Sequence, residues 1–87
     1  MDWQVYIILC SDETLYTGIT NNVARRLDQH AGLGGARYFR GRQPKRLVYL
    51  ENGHTRSSAS KREAAIKKLG RAEKLRLIES QQNQLLP

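Results

Sequence analysis

Two tyrosines ten residues apart, Tyr6 and Tyr16, are followed by the pair Arg25-Arg26, by His30 one helical turn beyond Arg26, and by Glu63 further along the chain. Phenols, a guanidinium, an imidazole and a carboxylate together suit phosphodiester chemistry. One group must activate water, and others must meet the charge that develops on phosphate. A phenol takes a proton only when its pKa falls well below the reference value of about 10, and nearby positive charge favours that. Singly, each residue also has a plainer role. Tyr6 and Tyr16 read equally as strand aromatics packed in a core. Arg26 and His30 flank an apolar stripe where a phosphate could be held, or they are a solvent-facing cation and a histidine complementing a helix terminus. Glu63 lies four residues after Ala59 and three before Ile66, on the apolar side of its helix. A carboxylate there needs a partner. A divalent cation such as Mg²⁺, a nearby arginine, or a Ser60-x-x-Glu63 capping box would each supply one. The residues gain meaning together only if the fold makes them converge.

The elements that must position them fit a single domain. A chain of 87 residues builds one modest core, and 39% hydrophobic residues suit a globular fold. The net charge of +7 is unevenly placed: no Lys or Arg precedes Arg25 and none follows Arg76. Between Arg25 and Arg46 seven basic residues (Arg25, Arg26, Arg37, Arg40, Arg42, Lys45, Arg46) face the single acid Asp28. Such a field attracts polyanions, nucleic acid above all; a solvated basic surface is the alternative. Cys10 is the one cysteine, so no intrachain disulfide can form, and it reads as a small buried hydrophobe. The apolar run from Val5 to Cys10 falls far short of the about 20 residues that span a bilayer, and Met1-Asp2-Trp3 lacks a basic leader. The expectation is a soluble cytoplasmic protein with no membrane partner.

Trp3 to Cys10 is almost continuously apolar and β-rich, as in a strand covered on both faces. Ser11-Asp12-Glu13 reads as a turn and Thr14 to Ile19 as the second strand of a hairpin. Whether Tyr6 and Tyr16 share a face depends on register, which sequence leaves open. Thr20 or Asn21 can cap a helix to about His30, with Val23 and Leu27 as its stripe. A glycine-rich basic loop follows. Arg46 to Glu51 reads as a third strand, with Leu47 and Tyr49 on one face and Val48 and Leu50 on the other, and Asn52-Gly53 as a turn. A helix capped near Ser57 or Ser58 runs to Leu69, where Gly70 stops it. A last helix, Arg71 to Gln81, presents Ala72, Leu75 and Ile78. The order ββαβαα predicts an α+β fold, a three-stranded antiparallel sheet flanked by helices. Residues 1–81 are expected to form the domain, and 82–87 a frayed tail.

The chain resembles the GIY-YIG nuclease superfamily, and within it the small standalone bacterial proteins of the YhbQ-like type. Gln4-Val5-Tyr6 stands where that family has GIY, and Tyr16-Thr17-Gly18 where it has YIG. The likeness continues through Gly18-Ile19-Thr20-Asn21, Arg25-Arg26-Leu27, Gln29-His30, Leu47-Val48-Tyr49 and Arg62-Glu63. The resemblance implies a GIY-YIG fold and a metal-dependent endonuclease that cuts DNA in preference to RNA, in repair or recombination, with one divalent cation, Mg²⁺ or Mn²⁺. By this resemblance Tyr16 is the general base, Tyr6 positions water or phosphate, Arg26 neutralises phosphate, His30 contacts phosphate or relays a proton, and Glu63 is the metal ligand. Arg25, Arg37, Arg40, Arg42 and Lys45 supply the nucleic-acid surface. The alternative is a module of the same fold that binds nucleic acid without cutting it. Three departures stand out. Gln4 replaces the signature glycine, whose role is backbone shape. Ile19 stands where some relatives have lysine. Asn83 comes too late for the asparagine that many relatives carry after the metal-binding helix.

Overall fold

A computed structural model describes residues 2–26 and 44–85. Strands β1 (Trp3–Cys10), β2 (Leu15–Thr20) and β3 (Pro44–His54) form an antiparallel sheet in the order β2-β1-β3. Helix α1 is described over residues 23–26. Helices α2 (Arg56–Lys67) and α3 (Arg71–Ile78) follow β3. The expected α+β architecture is therefore the observed one.

The continuous apolar run of β1 follows from its central place, because a strand paired on both edges and covered on both faces has no solvent side. Val5, Tyr6, Ile7, Ile8 and Cys10 are all fully buried. Odd-numbered residues Val5 and Ile7 pack with Tyr49 against Ala59 and Ile66 of α2, with Leu77 and Ile78 of α3 at the margin. Even-numbered Tyr6, Ile8 and Cys10 pack on the other face with Tyr16, Leu47, Leu50 and Val23 of α1. Each large side chain so buried contributes roughly 1.5–3 kcal/mol.

Strand β3 departs from simple alternation twice. Ile7 pairs with Tyr49 but Ile8 pairs with Leu47, so Val48 is an extra residue in the ladder. The bulge puts Leu47 and Leu50 on the Tyr6 face and Val48 with Tyr49 on the α2 face. The predicted parity of this strand is thereby corrected. Further on, Trp3 pairs with His54 and Val5 with Glu51, which leaves Asn52-Gly53 opposite Gln4 alone. Gly53 takes a φ of 76° and absorbs the surplus residue. The expected turn is thus a second bulge, and the strand runs on to His54.

Helix boundaries shift for local reasons. Asn22, not Thr20 or Asn21, caps α1, its Oδ1 accepting from Arg25 N at 3.0 Å. Thr55 caps α2 through a reciprocal box with Ser58, so the Ser60-x-x-Glu63 box does not form. Gly70 precedes α3 as its N-cap instead of ending α2 alone. The stripe expected on α3 is only partly used: Ala72 is exposed and Leu75 is 43% exposed, while Leu77 and Ile78 meet the core.

The segment expected to fray from Gln82 is anchored through Leu85. Asn83 is buried and donates to Val48 O and Ile78 O, both at 2.8 Å, while its Oδ1 accepts from Leu50 N. Gln84 N donates to Leu50 O at 2.8 Å. The physical reason is the open edge of β3, whose bulge leaves backbone groups needing partners.

Candidate active site

Register decides the first question. Tyr6 pairs with Gly18 and Ile8 with Tyr16, so the two phenols project from one face as diagonal neighbours. Their ring centroids lie 6.2 Å apart with the planes tilted by 52°. Gly18 makes this possible, since a Cβ there would come within 2.5 Å of Tyr6 Oη and 2.7 Å of Cζ. The glycine opposite the first tyrosine is the space its ring occupies.

Arg26 reaches the pair from the first turn of α1, its Nε donating to Tyr6 Oη at 3.5 Å. The position of that turn is set by Gln4. Its Oε1 accepts from Val23 N at 3.1 Å, and its Nε2 donates to Asn52 Oδ1 at 2.6 Å. Val23 N is one of the helix-start donors that the helix cannot satisfy internally. A side chain at position 4 thus ties α1 to the sheet and to the β3 bulge, which a glycine could not do.

Burial pushes the Tyr6 phenol up to about 12, although the Arg26 guanidinium pulls the other way. Tyr6 is therefore neutral near pH 7 and able to donate. The Arg26 pKa is raised, first by its hydrogen bond with Tyr6, and the interactions with Tyr16 add to this against the opposing effect of burial. Tyr16 is the more accessible phenol, half-buried where Tyr6 has no exposed surface.

Tyr6, Tyr16 and Arg26 are brought together. Glu63 stands on α2, whose buried residues Ala59 and Ile66 join the core on the Val5 face. Its Oε2 lies 3.4 Å from Lys67 Nζ, and its side chain is 24% exposed. No group of three or more His, Cys, Asp or Glu that could enclose a metal occurs among the described residues. A hard cation held at Glu63 would have that one carboxylate as its described protein ligand and would keep several waters. Arg25 is exposed on α1, and Lys45 forms an exposed pair with Glu13 at 3.2 Å. His30, Arg37, Arg40 and Arg42 lie outside the described residues.

A second polar cluster escaped the sequence reading. Tyr49 Oη donates to Glu51 Oε2, which also accepts from Arg62 Nε at 2.8 Å. Glu51 Oε1 meets His54 Nε2 at 2.8 Å, and His54 Nδ1 meets Ser58 Oγ at 2.8 Å. Burial raises the Glu51 pKa, but bonds from Tyr49, His54 and Arg62 outweigh it and hold the carboxyl below its usual range. Burial first, then the Glu51 bond, pushes Tyr49 up to about 12. The network ties β3 to α2 at Arg62, the residue before Glu63. The only sequence signal for it was alternation of Tyr49 and Glu51, which did not reveal that His54 and Arg62 would meet them.

The profile of the GIY-YIG catalytic domain matches residues 2–76, most of the chain. The chain belongs to the GIY-YIG nuclease family. It is 53% identical over 79 residues to a UPF0213 protein of Desulfotalea psychrophila, covering 90% of this chain and 72% of that one. A UPF0213 protein of Natronomonas pharaonis is 51% identical over 77 residues, covering 88% and 91%. The solution NMR structure of a UPF0213 protein from Bacillus halodurans superposes with a TM-score of 0.60 at 38% identity, over 98% of this chain and 90% of that one. Family membership agrees with the paired tyrosines and the glycine facing Tyr6. Among the described residues no helix is long and apolar enough to cross a membrane.

Proposed function

We propose that this GIY-YIG protein is a divalent-metal-dependent endonuclease that hydrolyses phosphodiester bonds in DNA, in a repair or recombination setting. The convergence of Tyr6, Tyr16 and Arg26 on one face of the hairpin carries the reading. Tyr6 is fixed as a neutral donor by burial, so it orients water or a phosphate oxygen. Proton removal from water then falls to Tyr16, the accessible phenol. Arg26 meets the charge that grows on the phosphate, where a prepositioned cation is worth most. Glu63 would hold Mg²⁺ or Mn²⁺, which when bound supplies further positive charge to the phosphate oxygens. His30 would contact the phosphate, and Arg25, Arg37, Arg40, Arg42 and Lys45 would attract the backbone. Contacts of that kind carry little sequence information, so binding should be salt-dependent and weakly selective.

The test is incubation with supercoiled plasmid at low salt, with Mg²⁺, with Mn²⁺ and with EDTA. Nicking that needs metal and is lost in the Tyr16→Phe variant is the expected result. Retardation of plasmid that is never cut under any condition would favour the non-cleaving module.

A further inference from the structure

A cleft of ≈ 320 Å³ is lined by Arg25 and Arg26 of α1, Arg56 of α2, and Trp3, Ile19, Thr20 and Asn21 at the strand ends, with Arg26 linking it to Tyr6. Its volume lies at the small end of ligand-sized sites. Arg25 and Arg26 enter from α1, and Arg56 is the first residue of α2. No carboxylate is among the described residues lining it. Arg25 and Arg56 are like charges lining one cleft, an arrangement that an anion between them relieves.

Arg56 sharpens the point. The first turn of a helix favours acidic residues because the backbone dipole is positive there. The first turn of α2 holds no acid and begins with arginine. Locally this arrangement is unfavourable, and local rules tend to be broken where function requires it. The Arg56 guanidinium carbon lies 5.6 Å from the centroid of the Trp3 ring. A cation–π contact of that kind restrains the long side chain where it lines the cleft. A guanidinium so restrained can present paired N–H groups to phosphate oxygens.

We propose that this cleft is a phosphodiester subsite for the nucleotide adjoining the cut. Arg56, braced on Trp3, and Arg25 clasp the backbone phosphate next to the one that meets Arg26. The inference rests on the nuclease reading, and it adds Trp3 and Arg56 to the nucleic-acid surface.

Trp3 is the sole tryptophan, so its fluorescence reports on this cleft directly. The experiment titrates wild-type protein with a short single-stranded DNA in EDTA, where no metal-dependent cutting occurs, and reads both Trp3 emission and fluorescence anisotropy of the labelled DNA at several salt concentrations. Inorganic phosphate is titrated in parallel. Arg56→Gln is compared with Arg76→Gln, which removes the same charge from the exposed surface of α3. The expected result is a change in Trp3 emission on DNA binding, with affinity falling about tenfold in Arg56→Gln and the salt slope dropping by about 0.7, the value of one single-strand phosphate contact. Arg76→Gln should weaken binding less than twofold. Equal losses in the two variants, or DNA binding with silent Trp3 emission, would overturn the subsite while leaving the nuclease reading intact. An emission response to inorganic phosphate but not to DNA would make the cleft a free-anion site and would also overturn it. Absence of any DNA binding by the wild type would overturn both.

Discussion

The sheet carries two tyrosine–arginine pairs, one on each face, and they differ in what the arginine meets. On one face Arg62 meets the Glu51 carboxylate, which also holds Tyr49 and His54. Charge is balanced inside the protein, and the result joins β3 to α2. On the other face Arg26 meets phenol oxygen. A neutral phenol orients that guanidinium without itself neutralising it. Both buried phenols are pushed to about 12, which shows that a shifted tyrosine pKa does not by itself mark a site. The partner does. Among the described residues, only on the Tyr6 face does a second phenol, Tyr16, stand within reach.

The comparison predicts that equivalent substitutions on the two faces fail differently. The largest effects belong to the Tyr6 face and to Glu63. Tyr16→Phe should reduce nicking by about 10²–10⁴-fold, the usual worth of a general base. Arg26→Ala should cost about 10²–10³-fold, as for a lost donor to a developing oxyanion. Glu63→Ala should abolish metal-dependent nicking. Retained DNA affinity by gel shift in Tyr16→Phe and Glu63→Ala, with unchanged melting in all three, would separate chemistry from folding; a matching loss of stability would merge the two faces again.

Next in size is the opposite network. Glu51→Gln should destabilise the fold by about 2–3 kcal/mol in urea unfolding, somewhat less than the 3–5 kcal/mol for a fully buried pair, because the Arg62 side chain is 32% exposed. The pH dependence follows from the signs. Glu51 has a depressed folded pKa, so its contribution is present above the unfolded value of 4.5 and is lost as pH falls below it. Tyr6 and Tyr49 have raised folded pKa values, so their contribution holds below the unfolded value of 10.0 and is lost as pH rises toward about 12. Denaturation midpoints against pH should show a plateau between these limits. A plateau whose acid edge does not move in Glu51→Gln would contradict the assignment.

Asn83→Ala should cost about 2 kcal/mol, since it strips partners from the backbone groups of Val48, Leu50 and Ile78. Gly18→Ala should cost about 1–3 kcal/mol by overpacking against Tyr6. It should also lower nicking, because the ring that must move is one of the pair. Nicking at the wild-type rate in Gly18→Ala would show that Tyr6 placement is not critical.

The strands and their antiparallel pairing were legible in sequence, because apolar runs report local structure directly, and short motifs marked Tyr6, Tyr16 and Arg26 as candidates. Register was not, and the shared face of Tyr6 and Tyr16 depended on it. Leu47 and Leu50 also defeated simple alternation, since the Val48 bulge that aligns them is a property of pairing with β1. Gln4 looked like a departure from the motif, yet its side chain spans from β1 to Val23 and Asn52. Asn83 looked like tail because two of its partners, Val48 and Leu50, lie more than thirty residues earlier on β3. Contacts so distant leave no periodic trace.

The most direct test removes one hydroxyl from each face with the same substitution. Tyr6→Phe and Tyr49→Phe are compared for plasmid nicking per folded molecule and for unfolding free energy. The two-face account predicts that Tyr6→Phe loses about 10²-fold in rate with little change in stability. It predicts that Tyr49→Phe loses about 1.5–3 kcal/mol, the worth of a hydrogen bond to a charged group, and keeps its rate to within about twofold. Full nicking in Tyr6→Phe, or a lost rate in fully folded Tyr49→Phe, would contradict it.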